Sequence, residues 1–446
     1  MMTPSPTETP SPMARRAAIA SLIGTTIEWY DFYIYGTAAA LVFGKLFFPD
    51  LSNTMGIIAA FATFWVGFVA RPLGAAFFGH LGDRLGRKAA LIVTLTLTGS
   101  ATTLIGALPS AETIGVLAPM LLIALRMIQG FALGGEWGGA VLIASEHAPE
   151  RKKILYASVA QVGAPVGLCL SMASFFLLSF LPDSSFLAWG WRLPFLASGV
   201  LLVVGLIIRL GLEETPDMKQ VVESNATSRL PLKEVLTSSP GVVLLAIGAC
   251  AIGGSSMYFK TTFALSWATT SLNFSRSTFL ALGTLVAAVS IVAMPYGAAL
   301  ATRFGIRRVA VGALAAEAVL LPLMFALIAT ESTILAAVGL ALATIPNSMY
   351  YAVIAGMLAN AFPAHVRYTG ISVSYQLCGA LIVGTTPMVA QYLLDETSSI
   401  AAVVVFALAQ LFLSLFCALS LLRRTNDNVA QTSAETEIVT APADSK

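Results

Sequence analysis

The stretch GHLGDRLGRK, Gly79 to Lys88, separates two long apolar runs, Ile57–Phe78 and Ala89–Leu108. Each run is long enough to cross a bilayer, because about 20 residues at 1.5 Å rise span the hydrocarbon core. A tip carrying Asp83, Arg84, Arg87 and Lys88 has to sit in water or among headgroups. Its basic excess predicts a cytoplasmic hairpin.

Working outward, the chain has 446 residues, of which 57% are hydrophobic and 11% charged, and its mean hydropathy is +0.83. Soluble domains carry about 25% charged residues. The composition therefore predicts an all-α polytopic membrane protein. Nothing basic and aromatic is clustered as nucleic-acid binding requires. Cys169, Cys250, Cys378 and Cys417 lie far apart inside apolar runs, so neither a disulfide framework nor a metal site is expected. The three histidines, His80, His147 and His365, fall near predicted loops with no nucleophile–base pattern, so no enzyme is expected.

After a Ser/Thr/Pro-rich tail, 1–14, expected to be disordered, apolar spans are predicted at 17–43, 57–78, 89–108, 117–143, 155–180 and 191–210. A polar linker, 211–239, leads to spans at 240–267, 278–302, 308–329, 333–360, 367–393 and 398–422, then to a polar tail, 423–446. Twelve transmembrane helices in two six-helix bundles, 15–210 and 240–422, are the expectation. GAALATRFGIRR, Gly297–Arg308, stands after the eighth span where GHLGDRLGRK stands after the second, and Pro363 to Arg367 echoes Pro149 to Arg151. Loops repeated half a chain apart argue for duplication. Thr302 replaces Asp83 in the second copy. With both termini cytoplasmic, the inner loops hold Arg84, Arg87, Lys88, Arg151, Lys152, Lys153, Arg303, Arg307, Arg308 and Arg367, against little more than Lys45, Arg276 and Arg192 outside. Linker and tail then lie in the cytoplasm.

Charges inside spans are costly and tend to mark pathways. Glu28 and Asp31, three residues apart, share one face of the first span, and Arg126 lies at matched depth in the fourth. Protonating the acid would release the arginine, whereas a permanent ion pair would only fix packing. Arg71 and Glu136, nearer the cytoplasmic ends, form a candidate second pair that either gates or braces. Lys260 in the seventh span either meets a substrate carboxylate or snorkels to the outer interface. Glu317 reads as packing against a polar neighbour. Gly130, Gly134 and Gly138 make a small-residue stripe that permits close helix approach. The polar sets Asn347, Tyr350, Tyr351 and Ser372, Tyr375, Gln376 each lie on one helix face, as expected of a wet cavity or of interhelix hydrogen bonding.

The loop also resembles the signature between helices 2 and 3 of the major facilitator superfamily. EWYDFYIYG (Glu28–Gly36), ARPLG (Ala70–Gly74), RMIQGFALGGEWGGA (Arg126–Ala140), WGWRLPF (Trp189–Phe195) and LEETP (Leu212–Pro216) resemble the metabolite:proton symporter family. That family includes carriers for shikimate, 2-oxoglutarate, citrate and proline/betaine, and AAFATF (Ala59–Phe64) adds a likeness to shikimate carriers. The resemblance implies uptake of a small organic acid by alternating access across the plasma membrane of a bacterium, coupled to protons with no cofactor; a monomer is the expected state. It implies Asp31, with Glu28, as coupling acid paired to Arg126. Arg126, Gln129, Gln161, Lys260, Asn347, Tyr350, Tyr375 and Gln376 are then the expected substrate contacts. Asp83, Arg84, Arg87 and Glu146, joined by Arg71 and Glu136, form the expected cytoplasmic gate. A zwitterionic osmolyte held by Trp29, Tyr30 and Tyr33 is the alternative substrate, and a non-transporting receptor the alternative function.

Overall fold

The computed structural model describes residues 12–85, 87–135, 153–211, 235, 237, 239–362 and 367–440. Among them, all regular elements are helices. The first six long helices are α1 (Pro12–Ala38), α2 (Asn53–Leu85), α3 (Arg87–Ala107), α4 (Leu117–Gly134), α5 (Lys153–Leu178) and α6 (Arg192–Leu210). The second six are α7 (Pro240–Tyr258), α8 (Arg276–Phe304), α9 (Ile306–Ile328), α10 (Thr333–Ala361), α11 (Arg367–Cys378) and α12 (Ile400–Thr440). π turns carry three of these onward: α1 through Ala39–Phe43, α7 through Phe259–Phe263 to Thr270, and α11 through Gly379–Val383 towards Thr397.

Ten helices among the described residues are long and apolar enough to cross a membrane. The other two are α1, which carries Glu28 and Asp31 within its apolar stretch, and α5, whose described side chains form a shorter apolar run, Val162–Leu178. Counted with these, the architecture is the expected twelve-helix one.

Three boundaries differ from the sequence expectation. The charged stretch after the second span is helix almost throughout, since α2 runs to Leu85 and α3 begins at Arg87. No proline interrupts it, and its glycines cost a helix only about 1 kcal/mol each. At the N-terminus, helix begins at Pro12, inside the tail expected to be disordered. At the other end the polar tail continues α12 to Thr440, with neither Gly nor Pro before Pro442 to stop it. The linker 212–234 lies outside the described residues.

The duplication is visible in the packing. In the first half α1 packs on α5, α2 on α4 and α3 on α6; in the second α7 packs on α11, α8 on α10 and α9 on α12. The halves meet through α5 with α8 and through α2 with α11. Trp65 Nε1 of α2 donates to the Ala380 carbonyl at 2.6 Å. At the N-terminal end of α8, Arg276 donates to Asp183 Oδ1 at 2.9 Å and to the Ser179 and Leu181 carbonyls, all in the first half.

The approach of α4 to α2 decides where the site lies. A Cβ on Gly130 would collide with the Gly67 carbonyl, and one on Gly134 with the Arg71 carbonyl. Only glycine permits backbones this close, the small-residue packing expected where water supplies no hydrophobic drive. We predict that Gly130→Val destabilises the detergent-purified protein by about 1–3 kcal/mol or stops it folding. Gly312→Ala, on α9 with nothing within 4 Å of the new methyl, should leave the thermal midpoint unchanged or raised.

Candidate functional site

Three prolines stand in helices that border one central space. Pro72 in α2, Pro165 in α5 and Pro346 in α10 each lie inside a helix, where the missing N–H removes an i→i−4 bond. Beside them lies a cavity whose wall is drawn from both halves. Trp29, Tyr33, Phe68 and Arg71 line it on one side; Tyr258, Ser290, Asn347, Tyr351 and Tyr375 line it on the other.

Arg71 is the cation of this wall. Its guanidinium carbon lies 4.3 Å from the Phe32 ring centroid and 4.6 Å from that of Phe68. Each such contact with a desolvated arginine stabilises by about 0.5–2 kcal/mol. Its Nε makes no hydrogen bond, and Glu28 and the hydroxyls of Tyr258, Tyr351 and Tyr375 act electrostatically on it. Facing it across the cavity, the Tyr351 and Tyr375 hydroxyls are joined at 2.8 Å, and Ser348 donates to Ser290 at 3.1 Å. One guanidinium opposed by hydroxyls suits a small molecule with a carboxylate at one end and hydrogen-bonding groups at the other. The sequence placed Arg71 towards the inner gate; the structure places it on the cavity wall.

Above the Arg71 level, Tyr258 of α7 reaches from the second half into the aromatic rings of the first. Its ring centroid is 5.3 Å from Phe64, 5.9 Å from Phe68 and 6.4 Å from Phe32. This layer separates the cavity from the Arg126 site.

Arg126 is wholly buried and is not part of the cavity wall. The rings of Phe32, Tyr35 and Phe64 surround it, with centroids 4.3, 4.2 and 4.9 Å from the guanidinium carbon. Gly67 leaves the space that its side chain fills. Arg126 donates to Gln129 Oε1 and to the Phe64 carbonyl. Gln129 Nε2 in turn donates to the Asp31 carbonyl at 3.3 Å and to Thr102 Oγ1 at 2.8 Å. Gln129 thus bridges the Arg126 guanidinium to the backbone carbonyl of Asp31, outside the cavity wall.

Of the other expected site residues, Asn347 and Tyr375 line the cavity. Tyr350 faces away, donating to the Ala249 carbonyl at 2.7 Å from within the core. Gln376 is buried and lies outside the cavity wall. Lys260 does not snorkel: it is fully buried, with Nζ 3.9 Å from Glu317 Oε1. Glu136 and Glu146 lie outside the described residues, as do the side chains of Gln161, Asp83, Arg84 and Arg87. The sequence reading missed the Lys260–Glu317 pair and the place of Tyr258. The available signal was that Lys260 and Glu317 are opposite charges on two spans of the same half.

Family models match both halves of the chain, "Sugar (and other) transporter" over residues 17–228 and "Major Facilitator Superfamily" over residues 244–444. The shikimate transporter of Escherichia coli (strain K12) is 44% identical over 413 residues, covering 91% of this chain and 94% of its own. The glycine betaine/proline/ectoine/pipecolic acid transporter OusA of Dickeya dadantii (strain 3937) is 34% identical, covering 86% and 79%. Among solved structures, a D-xylose-proton symporter superposes with a TM-score of 0.73 at 17% identity, covering 91% of this chain and 97% of that one.

Arg71 and Arg126 should separate cleanly on mutation. Arg71→Gln is expected to weaken binding of a carboxylate ligand by about 10-fold to 100-fold, the loss of one charge-assisted contact, with little change in thermal midpoint. Arg126→Gln empties a buried, ring-lined site and should lower the midpoint as well. Calorimetric titration of the purified variants together with thermal melts checks both.

Proposed function

The chain belongs to the major facilitator superfamily of membrane transporters, and we propose that it imports a small hydroxylated organic acid, shikimate or a close relative, together with a proton. The observation that carries this reading is Arg71 on the cavity wall opposite Tyr351, Tyr375 and Asn347. The similarity to a shikimate transporter supports it. The protein works as a monomer in the bacterial inner membrane, with both termini in the cytoplasm.

The proposed coupling follows from counting charges around Arg71. Glu28 adds to the field at Arg71, beside the hydroxyls of Tyr258 and Tyr375, and in this scheme it is the counter-charge that a buried guanidinium requires. A substrate carboxylate at Arg71 would put two anions beside one cation in a medium of low dielectric, which is unfavourable. Glu28 therefore takes up a proton as the substrate loads. The backbone of Asp31, one turn further along α1, meets Arg126 of α4 through Gln129, and a shift of α1 passes to α4 through that contact. Release inside reverses both steps, as the halves rock about the cavity. The gate expected at Asp83, Arg84, Arg87, Glu136 and Glu146 closes the cytoplasmic side in the opposite state.

A second reading, uptake of a zwitterionic osmolyte, has its own support. Trp29, Tyr33 and Tyr258 line the cavity, and aromatic rings attract quaternary ammonium groups.

Reconstituted vesicles with an external pH-sensitive dye decide between them. The proposal expects alkalinisation outside when shikimate is added, uptake that falls as external pH rises, and no response to betaine. In Glu28→Gln, accumulation against a gradient should be lost while shikimate–shikimate exchange persists. A response to betaine alone, or shikimate flux with no proton movement, contradicts the proposal.

A further inference from the structure

Behind the second half's side of the cavity lies an ion pair with no part in the scheme above. Lys260, on the π turn of α7, and Glu317, on α9, are each fully buried and 3.9 Å apart. Ser256, one turn earlier on α7, donates to Glu317 Oε1 at 2.5 Å. Lys260 Nζ also donates to the Ala343 carbonyl at 3.0 Å. Ala343 stands one turn before Asn347, on the stretch of α10 that Pro346 weakens. The pair thus fastens α7 and α9 to α10 where α10 is least able to hold its own shape.

Asn347 occupies the layer between this pair and the cavity. It lines the cavity, and its amide group faces Glu317. Glu317 Oε2 and Asn347 Nδ2 are both buried, and neither has a partner within normal hydrogen-bond distance. An ionised carboxylate accepts hydrogen bonds and cannot donate them, whereas an amide offers a donor on one side and an acceptor on the other. Held beside Lys260, the carboxylate attracts the amide nitrogen and repels the amide oxygen. The remaining charged or titratable group facing Glu317 among the described residues is Tyr350, whose hydroxyl is committed to the Ala249 carbonyl.

We infer that the Lys260–Glu317 pair orients Asn347 so that its carbonyl oxygen faces the cavity, making that wall select for substrates carrying a hydroxyl. This deepens the proposed function and rests on its assignment of Arg71 to the carboxylate. A molecule bridging the halves would put its carboxylate on Arg71 and donate a hydroxyl to Asn347. An analogue lacking hydroxyls would leave a buried acceptor unsatisfied. Sites built to hydrogen-bond a hydroxyl reject such analogues strongly, by about 10⁴ or more in well-studied enzymes. Lys260 and Glu317 are positioning residues here and do not touch the substrate.

The test compares shikimate with cyclohexenecarboxylate, the same ring and carboxylate without hydroxyls, by calorimetric titration of the full-length purified protein. The wild type should prefer shikimate by at least about 100-fold. K260M/E317Q removes both charges together, which avoids leaving a lone buried ion. Its preference should fall at least about tenfold, through weaker shikimate binding with cyclohexenecarboxylate unchanged. Asn347→Ala removes the acceptor itself and should show the same loss, so it decides the matter where the double variant does not fold. A wild-type preference retained in either folded variant overturns this inference and leaves the proposed function standing. A wild type that binds betaine and neither acid overturns both.

Discussion

A guanidinium held at the middle of a membrane protein has to be compensated on every side, and the first half of this chain is arranged around that requirement. Arg126 has three aromatic rings, one glutamine and one backbone carbonyl about it. It fits because Gly67 has no side chain, and α4 reaches α2 because Gly130 and Gly134 have none. Glycine at 67 and arginine at 71 lie one turn apart on α2. The contact that lodges Arg126 therefore also fixes the backbone from which Arg71 enters the cavity. A structural cation and a cavity cation are set by one helix–helix contact.

The two halves contribute different chemistry to the cavity. From the first come a cation and ring faces: Arg71, Trp29, Tyr33 and Phe68. From the second come hydroxyl and amide groups: Ser290, Asn347, Tyr351 and Tyr375. The second half keeps its own buried charges, Lys260 and Glu317, paired to each other and behind the wall. Under the proposed function, an asymmetric small molecule would be gripped at its charged end by one half and read at its polar end by the other. Ligand occupancy can then couple to the relative position of the halves, as alternating access requires. Tyr258 belongs to the second half but packs among Phe32, Phe64 and Phe68 of the first, so the aromatic layer has to separate when the outer side opens.

How much of this was legible in the sequence depended on the kind of signal. Span length and charge exclusion set the twelve helices, because the bilayer imposes both on any chain that crosses it. The glycine stripe on α4 announced a close approach without saying to which helix. The intramembrane charges were all visible, but their partners were not. Glu28 and Asp31 share a helix face and differ by one turn, which is enough to put one of them in the field of Arg71 and the other on the Gln129–Arg126 tie. Lys260 looked close enough to the outer end to snorkel. Instead, the π turn that carries it sits against α9, where it meets Glu317, and single-residue shifts of this kind leave no mark in composition. Tyr350 and Tyr351 are adjacent in sequence, yet one is core and the other lines the cavity. Polarity placed the pair on α10, and only the packing of that helix separates them.

A structure of the protein with shikimate bound would bear most directly on the central claim, that the cavity cation holding the substrate is Arg71. The account predicts both carboxylate oxygens within about 3 Å of the Arg71 guanidinium, with the ring beneath Tyr258. A carboxylate seated on Arg126, or a ligand held in the outer pocket beside Lys45 and Arg276 with the central cavity empty, would contradict it.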